Sequence, residues 1–182
     1  MIRRPTAQLI VLCLVAGATH VNATTAMAAD HARATAAAHP TPPPMTKAEI
    51  DAFLAQPLVA RIATVRKNGT RQVVPMWFLW EHGVMYMSTR TWAAKVKHIR
   101  QNRHVAVAVD VMEAPLKNKA VLLDGTAEIV TTGVKEMTTA IYRKYMGADA
   151  AKSLRAQESI STPRVLIKIT PTTIHSMDTT QH

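Results

Sequence analysis

The sequence predicts a mainly β domain, an antiparallel β-barrel whose openings are closed by α-helices. The expected elements follow one another as three strands, a helix, two strands, a helix and a last strand, unlike the alternation of a parallel doubly wound sheet. Glycines stand singly at expected turns, and neither a G-x-G-x-x-G nor a P-loop pattern occurs. The usual dinucleotide and nucleoside-triphosphate fingerprints are therefore missing.

Composition limits the function classes without choosing among them. The chain has 182 residues, of which 48% are apolar, enough to bury the core of one domain. A net charge of +10 favours an anionic partner, which can be a nucleic acid, a membrane or a phosphorylated small molecule. The single cysteine, Cys13, lies near the N-terminus, so we expect neither a disulfide nor a catalytic thiol in the folded part.

The N-terminal part is typical of an exported protein. A basic start precedes the apolar run Ala7–Ala18, and a small-x-small pattern of the signal-peptidase type follows. We expect a signal peptide at residues 1–29, a Pro/Ala-rich linker at 30–44 and the folded domain at 45–178. Such a protein is periplasmic or secreted, whereas a translation start at Met45 would leave it cytoplasmic.

Turn and cap residues define the first elements. Thr46 followed by Glu49 indicates a capping box, which predicts a helix over Lys47–Ala55. Asn68 and Gly69 form a strong hairpin signal because both accept positive φ. The three strands expected around this turn and the His82-Gly83 turn are Val59–Arg66, Arg71–Trp80, which contains Pro75 and is therefore an edge strand or bulged, and Val84–Thr89.

An apolar stripe at i, i+4 and i+7, formed by Trp92, Val96 and Ile99, predicts a helix over Thr91–Asn102. Its other face is basic. The remaining expected elements are a strand His104–Val111, a basic loop Leu116–Lys119, a strand Ala120–Val130 bulged at Asp124-Gly125, helices Thr132–Met146 and Ala148–Ser159, and a last strand Arg164–Thr170 with a continuation over Thr172–Met177.

The corner between the third strand and the basic helix carries the chemistry that stands out. A helix N-terminus presents unpaired N–H groups and a partial positive charge. Around it, Ser88, Thr89 and Thr91 offer hydroxyls that can cap the helix or donate to an oxyanion. Arg90 offers a bidentate fork and Lys95 a point charge. These residue types predict a phosphate site, although an ordinary capped, solvated basic helix fits the same local pattern.

A set of motifs in fixed order extends this interpretation. Residues Arg61–Asp110 contain an Ala-Thr strand, an Asn-Gly hairpin, a Pro-x-Trp-Phe strand, a third strand ending in Ser-Thr, a Lys-Val-x-x-Ile-Arg-x-Asn helix and a Val-rich strand. In this order they resemble the pyridoxamine 5′-phosphate oxidase-like proteins, the flavin-binding split-barrel family. The stretch Leu122–Val130 is similar to the next strand of that family, and the resemblance covers roughly residues 45–171.

The resemblance implies a homodimer of six-stranded antiparallel split barrels, with FMN in two grooves at the subunit interface. It implies that the phosphate lies by Thr89, Arg90 and Lys95, and that Arg61 and Thr64 reach the ribityl–phosphate region. The strand Val73–Trp77 would give main-chain bonds to the ring. The predicted cofactor-binding residues are Arg61, Thr64, Val74, Pro75, Met76, Trp77, Ser88, Thr89, Arg90 and Lys95.

Some positions depart from the family pattern. Ala93 and Ala94 stand where many relatives carry Ser-Arg before the helix lysine, and Arg103 replaces a usual proline. The family's Trp- and Arg-containing oxidase C-terminus is not evident, so we do not expect pyridoxamine 5′-phosphate as the substrate. No catalytic side chain stands out, which suits a protein whose cofactor carries the chemistry.

Several functional alternatives stay open at this stage. A deazaflavin coenzyme with a long anionic tail would suit the basic helix and Lys117 and Lys119, and a lone histidine can ligate haem. No histidine spacing indicates a metal site. A non-enzymatic basic module for nucleic acid or an anionic polymer is the alternative of another class. The aromatics of single-strand binders interleave with Lys and Arg, whereas here they cluster next to Pro75 and at the start of the basic helix, so we expect no nucleic acid as a partner.

Overall fold

The computed structural model describes residues 43–113, 117–149 and 153–180. The expected signal peptide, all but the end of the expected linker, Leu116 of the expected loop and part of the expected helix Ala148–Ser159 lie outside the described residues. Within the described part, no helix is long and apolar enough to cross a lipid bilayer.

One antiparallel sheet with helices at its margins forms the domain, which confirms the predicted fold class. Its strands are β1 (Ala60–Val65), β2 (Arg71–Met76), β3 (Leu79–Glu81), β4 (Val84–Arg90), β5 (His104–Glu113), β6 (Lys117–Val130) and β7 (Arg164–Asp178). The helices are α1 (Lys47–Ala55), α2 (Ala94–Gln101), α3 (Val134–Met146) and α4 (Leu154–Ser161).

The strand count is seven in the described residues rather than the six predicted, because the expected strand Arg71–Trp80 is interrupted. Trp77 and Phe78 leave the ladder of backbone hydrogen bonds, and they divide the expected strand into β2 and β3. The amide of Phe78 donates instead to the Tyr145 hydroxyl, at 3.1 Å. The predicted basic loop is also wrong, since β6 already begins at Lys117.

The strand order β2-β1-β5-β6-β7-β4-β3 places β2 and β3 at opposite edges of the sheet. These edges are joined through Trp77 and Phe78 alone, a connection of at most roughly 10 Å. The sheet must therefore curl until its edges meet there, which produces a barrel. β3 pairs only with Val84–Tyr86 of β4, so the barrel is split where the second half of β4 and the outer edge of β2 lack a strand neighbour among the described residues.

The interior of the barrel is apolar and closely packed. Its largest fully buried side chains come from strands distant in sequence and from the break between β2 and β3: Phe78, Ile62, Met85, Met87, Leu123, Ile167 and Ile169. Because β-strand side chains alternate between faces, the same strands present a second, outer face.

Local signals explain the turns. Gly69 has φ +81°, as the Asn-Gly signal predicts. Gly125 lies at a register shift between β6 and β7, and a Cβ there would stand 2.6 Å from the Thr170 carbonyl oxygen. The predicted hairpin and bulge are both present, and the bulge needs glycine because the neighbouring backbone is so close.

Candidate functional site

Helix α2 begins without a side-chain cap. Its N-cap is Ala93, with φ −62° and ψ 137°, and no side-chain hydrogen bond closes this end. Of the two roles open to the hydroxyls of Ser88, Thr89 and Thr91, capping of this helix is therefore not the one found. The expected helix start at Thr91 is wrong, since the helix begins at Ala94. The N-terminal N–H groups keep their partial positive charge, which suits an anion at this position.

Lys95, in the first turn of α2, points back to the end of β4. Its Nζ donates a long hydrogen bond of 3.4 Å to Oγ1 of Thr89, whose side chain is buried. Burial, and then the positive charge of Arg164, lower the pKa of the Lys95 ammonium. None of the ion pairs found among the described residues involves Lys95. The structure therefore unites Thr89, Lys95 and the open helix end, as the sequence predicts, with no carboxylate from the described part of the chain paired to this cation.

Ser88 lies on the opposite face of β4 from Thr89. Its Oγ is 2.7 Å from Oγ1 of Thr138 on α3 and accepts a 2.7 Å hydrogen bond from Nε of Arg164. A second guanidinium nitrogen of Arg164 donates to the Ser88 carbonyl oxygen at 3.1 Å. Ser88 thus orients Arg164, a residue that no local sequence pattern connects to this corner because it lies 76 residues away in the chain.

Arg90 is exposed at the end of β4, and its guanidinium carbon lies 5.7 Å from the centre of the Trp92 ring. Trp92 itself is 62% exposed and precedes the helix. Its expected place on the apolar stripe of α2 is therefore wrong. Together the two side chains form an exposed cation–aromatic pair beside Lys95, where they are available to a ligand or a partner chain.

Thr64 and His98 form a buried pair under α2. The Thr64 hydroxyl lies 3.0 Å from Nδ1 of His98, and both side chains are buried. Burial first, and then the nearby charges of Arg66, Lys97 and Lys95, lower the pKa of His98, which favours the neutral imidazole. The sequence pattern missed this pair, since it placed His98 on the basic face. The pair joins α2 to β1 and leaves Thr64 little room to touch a cofactor directly.

Arg61 lies on the outer face of the sheet and forms an ion pair with Asp110 across β1 and β5. The same face carries small side chains from two strands, Ala63, Ala106 and Ala108, and exposed apolar ones, Val73 (60%) and Leu122 (48%). These residues line a shallow apolar groove of about 360 Å³. Because successive side chains of a strand point to opposite faces, Arg61 lies on the outer face of the sheet and away from the contact between Thr89 and Lys95.

The predicted ring-contacting residues lie on β2 and just after it. β2 is an edge strand, as Pro75 predicts, so alternate N–H and C=O groups of β2 point away from β1. Val74 and Met76 pack against the core and Pro75 faces outward. Trp77 stacks on Tyr145, with ring centres 4.6 Å apart and planes at 3°. Main-chain contacts to a ligand therefore remain open, whereas the Trp77 ring serves packing.

Other charged and metal-ligating groups do not form a competing site. Lys119 holds the buried Asp178 carboxylate at 2.8 Å and lowers its pKa to about 2, so it is engaged structurally. In the described residues, no three His, Cys, Asp or Glu side chains cluster as a metal ion would need. The burial of His98 and its bond to Thr64 also make it a poor haem ligand.

The chain matches known proteins over most of its described part. Residues 46–178 match the family model described as pyridoxamine 5′-phosphate oxidase. A solved structure named F420 reductase is 29% identical, with a TM-score of 0.54 over 68% of this chain and 94% of that one. No curated protein matches the chain.

Two further solved structures are similar in fold. The conserved hypothetical protein Rv2991 of Mycobacterium tuberculosis has a TM-score of 0.66 at 22% identity, over 74% of this chain and 85% of that one. HutZ, a haem storage protein of Vibrio cholerae, has a TM-score of 0.59 at 14% identity, over 75% of this chain and 98% of that one. At these identities the likeness shows the fold.

Proposed function

The chain belongs to the pyridoxamine 5′-phosphate oxidase family, and we propose that it is an oxidoreductase that binds a flavin-type cofactor between two copies of the barrel. FMN is the simplest cofactor that satisfies the proposed contacts. One observation carries the proposal: Lys95, Thr89 and the uncapped start of α2 converge, and no carboxylate among the described residues is paired to the lysine. The donor set fits a phosphate group, which needs several N–H or O–H donors and positive charge.

In this proposal the phosphate lies at the start of α2. Backbone N–H groups of the first turn and Lys95 Nζ donate to its oxygens, and the Thr89 hydroxyl adds a further donor. The bond between Lys95 and Thr89 is long, so replacing it with a charge-assisted bond to phosphate costs little. His98 does not touch the phosphate. Its contact with Thr64 holds in place the helix that carries Lys95.

The ring of the cofactor is proposed to lie against the open edge of β2. Residues Val74–Trp77 offer backbone donors and acceptors there, and the break after Met76 ends the strand next to β3. When bound, such a cofactor supplies hydride and electron transfer, and the protein contributes binding, orientation and exclusion of water. No side chain is assigned a proton-transfer role.

A second copy of the chain is proposed to cover the outer face of the sheet. Val73, Leu122 and Met177 are exposed apolar residues on that face, in strands held in register by ladder pairs. Exposed apolar clusters of this kind are typical of interfaces. A Leu122→Lys variant should shift the chain to monomers in light scattering, whereas Met146→Lys, which alters an exposed apolar residue on α3, should not.

A deazaflavin-dependent reductase is the second candidate function. The 29% identical structure named F420 reductase favours it, and so does the positive charge that surrounds Lys95. The two candidates share the phosphate corner and differ in the ring and the tail of the cofactor.

Reconstitution tests the proposal. The purified chain is titrated with FMN, the deazaflavin coenzyme and haem, and binding is followed by the visible spectrum and by quenching of cofactor fluorescence. We expect saturable binding of FMN or the deazaflavin at one molecule per chain in a dimer. A chain that binds neither, or that binds haem alone, would refute the flavin assignment.

A further inference from the structure

Two arginines stand directly opposite each other at the end of the sheet. Arg90 of β4 and Arg164 of β7 are register partners, so their side chains leave the same face of adjacent strands. Like charges in that position destabilise a sheet. The guanidinium of Arg164 is also half-buried and donates two hydrogen bonds to Ser88, one to its hydroxyl and one to its carbonyl oxygen, and the Ser88 hydroxyl is itself in contact with Thr138. The fold therefore positions one of these cations and keeps the other beside it.

Lys95 brings a third positive charge to the same end of β4. Its amine contacts Thr89, and the carbonyl of the preceding residue, Ser88, accepts from Arg164. Their charges also interact. Burial and then Arg164 lower the pKa of Lys95. Burial lowers the pKa of Arg164, Tyr142 opposes that shift, and Arg90 adds to it. Lys95 and Arg164 thus contact two consecutive residues of β4, and Arg90 follows these residues in the same strand.

Several other cations in the described part of the chain are paired with carboxylates. Arg61, Arg103 and Lys119 each form an ion pair with a carboxylate. Neither Arg90 nor Lys95 has such a partner among the described residues, and the ring of Trp92 is the contact found for Arg90. A local arrangement that works against stability is expected where a ligand supplies the missing charge.

The number of cations exceeds what one phosphate at the helix start requires. Lys95 and the N–H groups of α2 already form a phosphate position, and Arg164 and Arg90 extend the positive region along the other face of β4. We propose that Arg164 and Arg90 form a second anion position, which binds a second acidic group, a phosphate or a carboxylate, in the tail of the cofactor. The chain would then select a cofactor with a polyanionic tail over FMN. This inference rests on the proposed function.

Binding titrations with cofactors of different charge test the inference. Dissociation constants of wild-type protein and Arg164→Gln are measured for FMN, FAD and the deazaflavin coenzyme with its carboxylated tail. Wild type should bind FAD or the deazaflavin at least about tenfold more tightly than FMN, and Arg164→Gln should remove about tenfold of that affinity while changing FMN binding less than about threefold. A preference for FAD would identify a second phosphate as the group, and one for the deazaflavin a carboxylate.

Arg100→Gln is the matched control, since Arg100 is an exposed arginine on α2 and its loss changes the net charge equally. Arg90→Gln, which leaves the bonds to Ser88 intact, replaces Arg164→Gln if thermal melting shows that variant to be unfolded.

Two results would overturn the inference and leave the flavin assignment standing. Wild type could bind FMN as tightly as both other cofactors, or the variants could weaken FMN binding as much as they weaken binding of the other two. A chain that binds no flavin at all, yet is stabilised more by inorganic pyrophosphate than by phosphate, would refute the proposed function alone. If pyrophosphate gives no such advantage, both fail.

Discussion

Helices α1 and α2 begin in opposite ways. At α1, Thr46 and Glu49 satisfy each other's backbone N–H groups at 3.3 and 2.7 Å, which completes a capping box. At α2 the corresponding position is Ala93, whose backbone has the extended conformation of a cap but whose side chain cannot supply one. The N-terminus of α1 is therefore capped by side chains, whereas that of α2 is not.

The charges around the two helix starts also differ. Asp51 on α1 holds Lys47 and also accepts from the Trp80 indole at 2.7 Å, so positive charge there is neutralised. Beside α2, the cations Lys95, Arg164 and Arg90 lie together. The contrast supports the proposal that the start of α2 receives an anion, whereas the start of α1 is closed by its own side chains.

The largest expected effect is that of Lys95→Gln on cofactor binding. Loss of a charge-assisted hydrogen bond of about 1.5–3 kcal/mol should weaken FMN binding by roughly 10- to 150-fold. Fluorescence titration measures the change. Lys97→Gln is the matched control, because Lys97 is exposed on the same helix, and it should change the dissociation constant less than about twofold. Equal effects of the two variants would show that only diffuse charge matters.

Tyr145→Phe tests the hydrogen bonds of the Tyr145 hydroxyl. The hydroxyl accepts from the Phe78 amide and donates to the Leu58 carbonyl at 2.5 Å, and burial raises its pKa to about 12. Phenylalanine preserves the stack on Trp77 but leaves both backbone groups without this partner, so urea unfolding should show a loss of about 1–3 kcal/mol. Tyr142→Phe, at the edge-on contact to Trp77, should cost clearly less. An unchanged stability in Tyr145→Phe would contradict this role.

Exchanging the two helix starts sharpens the comparison further. Ala93→Asp should cap α2 and stabilise the fold by about 0.5–2 kcal/mol, while its carboxylate repels the phosphate and weakens FMN binding. Thr46→Ala should remove the cap of α1 and lower the free energy of unfolding by about 1 kcal/mol, without altering the dissociation constant of FMN. Thermal melts and titrations of both variants measure the two quantities. Stronger FMN binding by Ala93→Asp would contradict an anion position at this helix end.

Local chemistry made much of the fold predictable. The capping box of Thr46, the turn at Gly69 and the bulge at Gly125 each depend on residues within a few positions of one another, and all three are present. The break at Trp77–Phe78 was not predictable, because it depends on a tyrosine hydroxyl 67 residues away. Helix α2 starts later than its apolar stripe predicted, since Trp92 is exposed beside Arg90.

The candidate site was predictable to a similar extent. Thr89 and Lys95 meet as expected, because they are only 6 residues apart and joined by a short turn. Strand alternation places Ser88 and Arg61 away from that contact, and a sequence motif does not reveal which face each side chain takes. Arg164 and His98 were missed because their partners, Ser88 and Thr64, are brought to them by strand pairing and helix packing.

The most direct test of the central claim is a crystal structure of the protein with FMN. We predict a phosphate at the start of α2, with oxygens roughly 2.7–3.2 Å from Lys95 Nζ and from backbone N–H groups of the first turn. A phosphate bound elsewhere, with Lys95 still directed at Thr89, would contradict it.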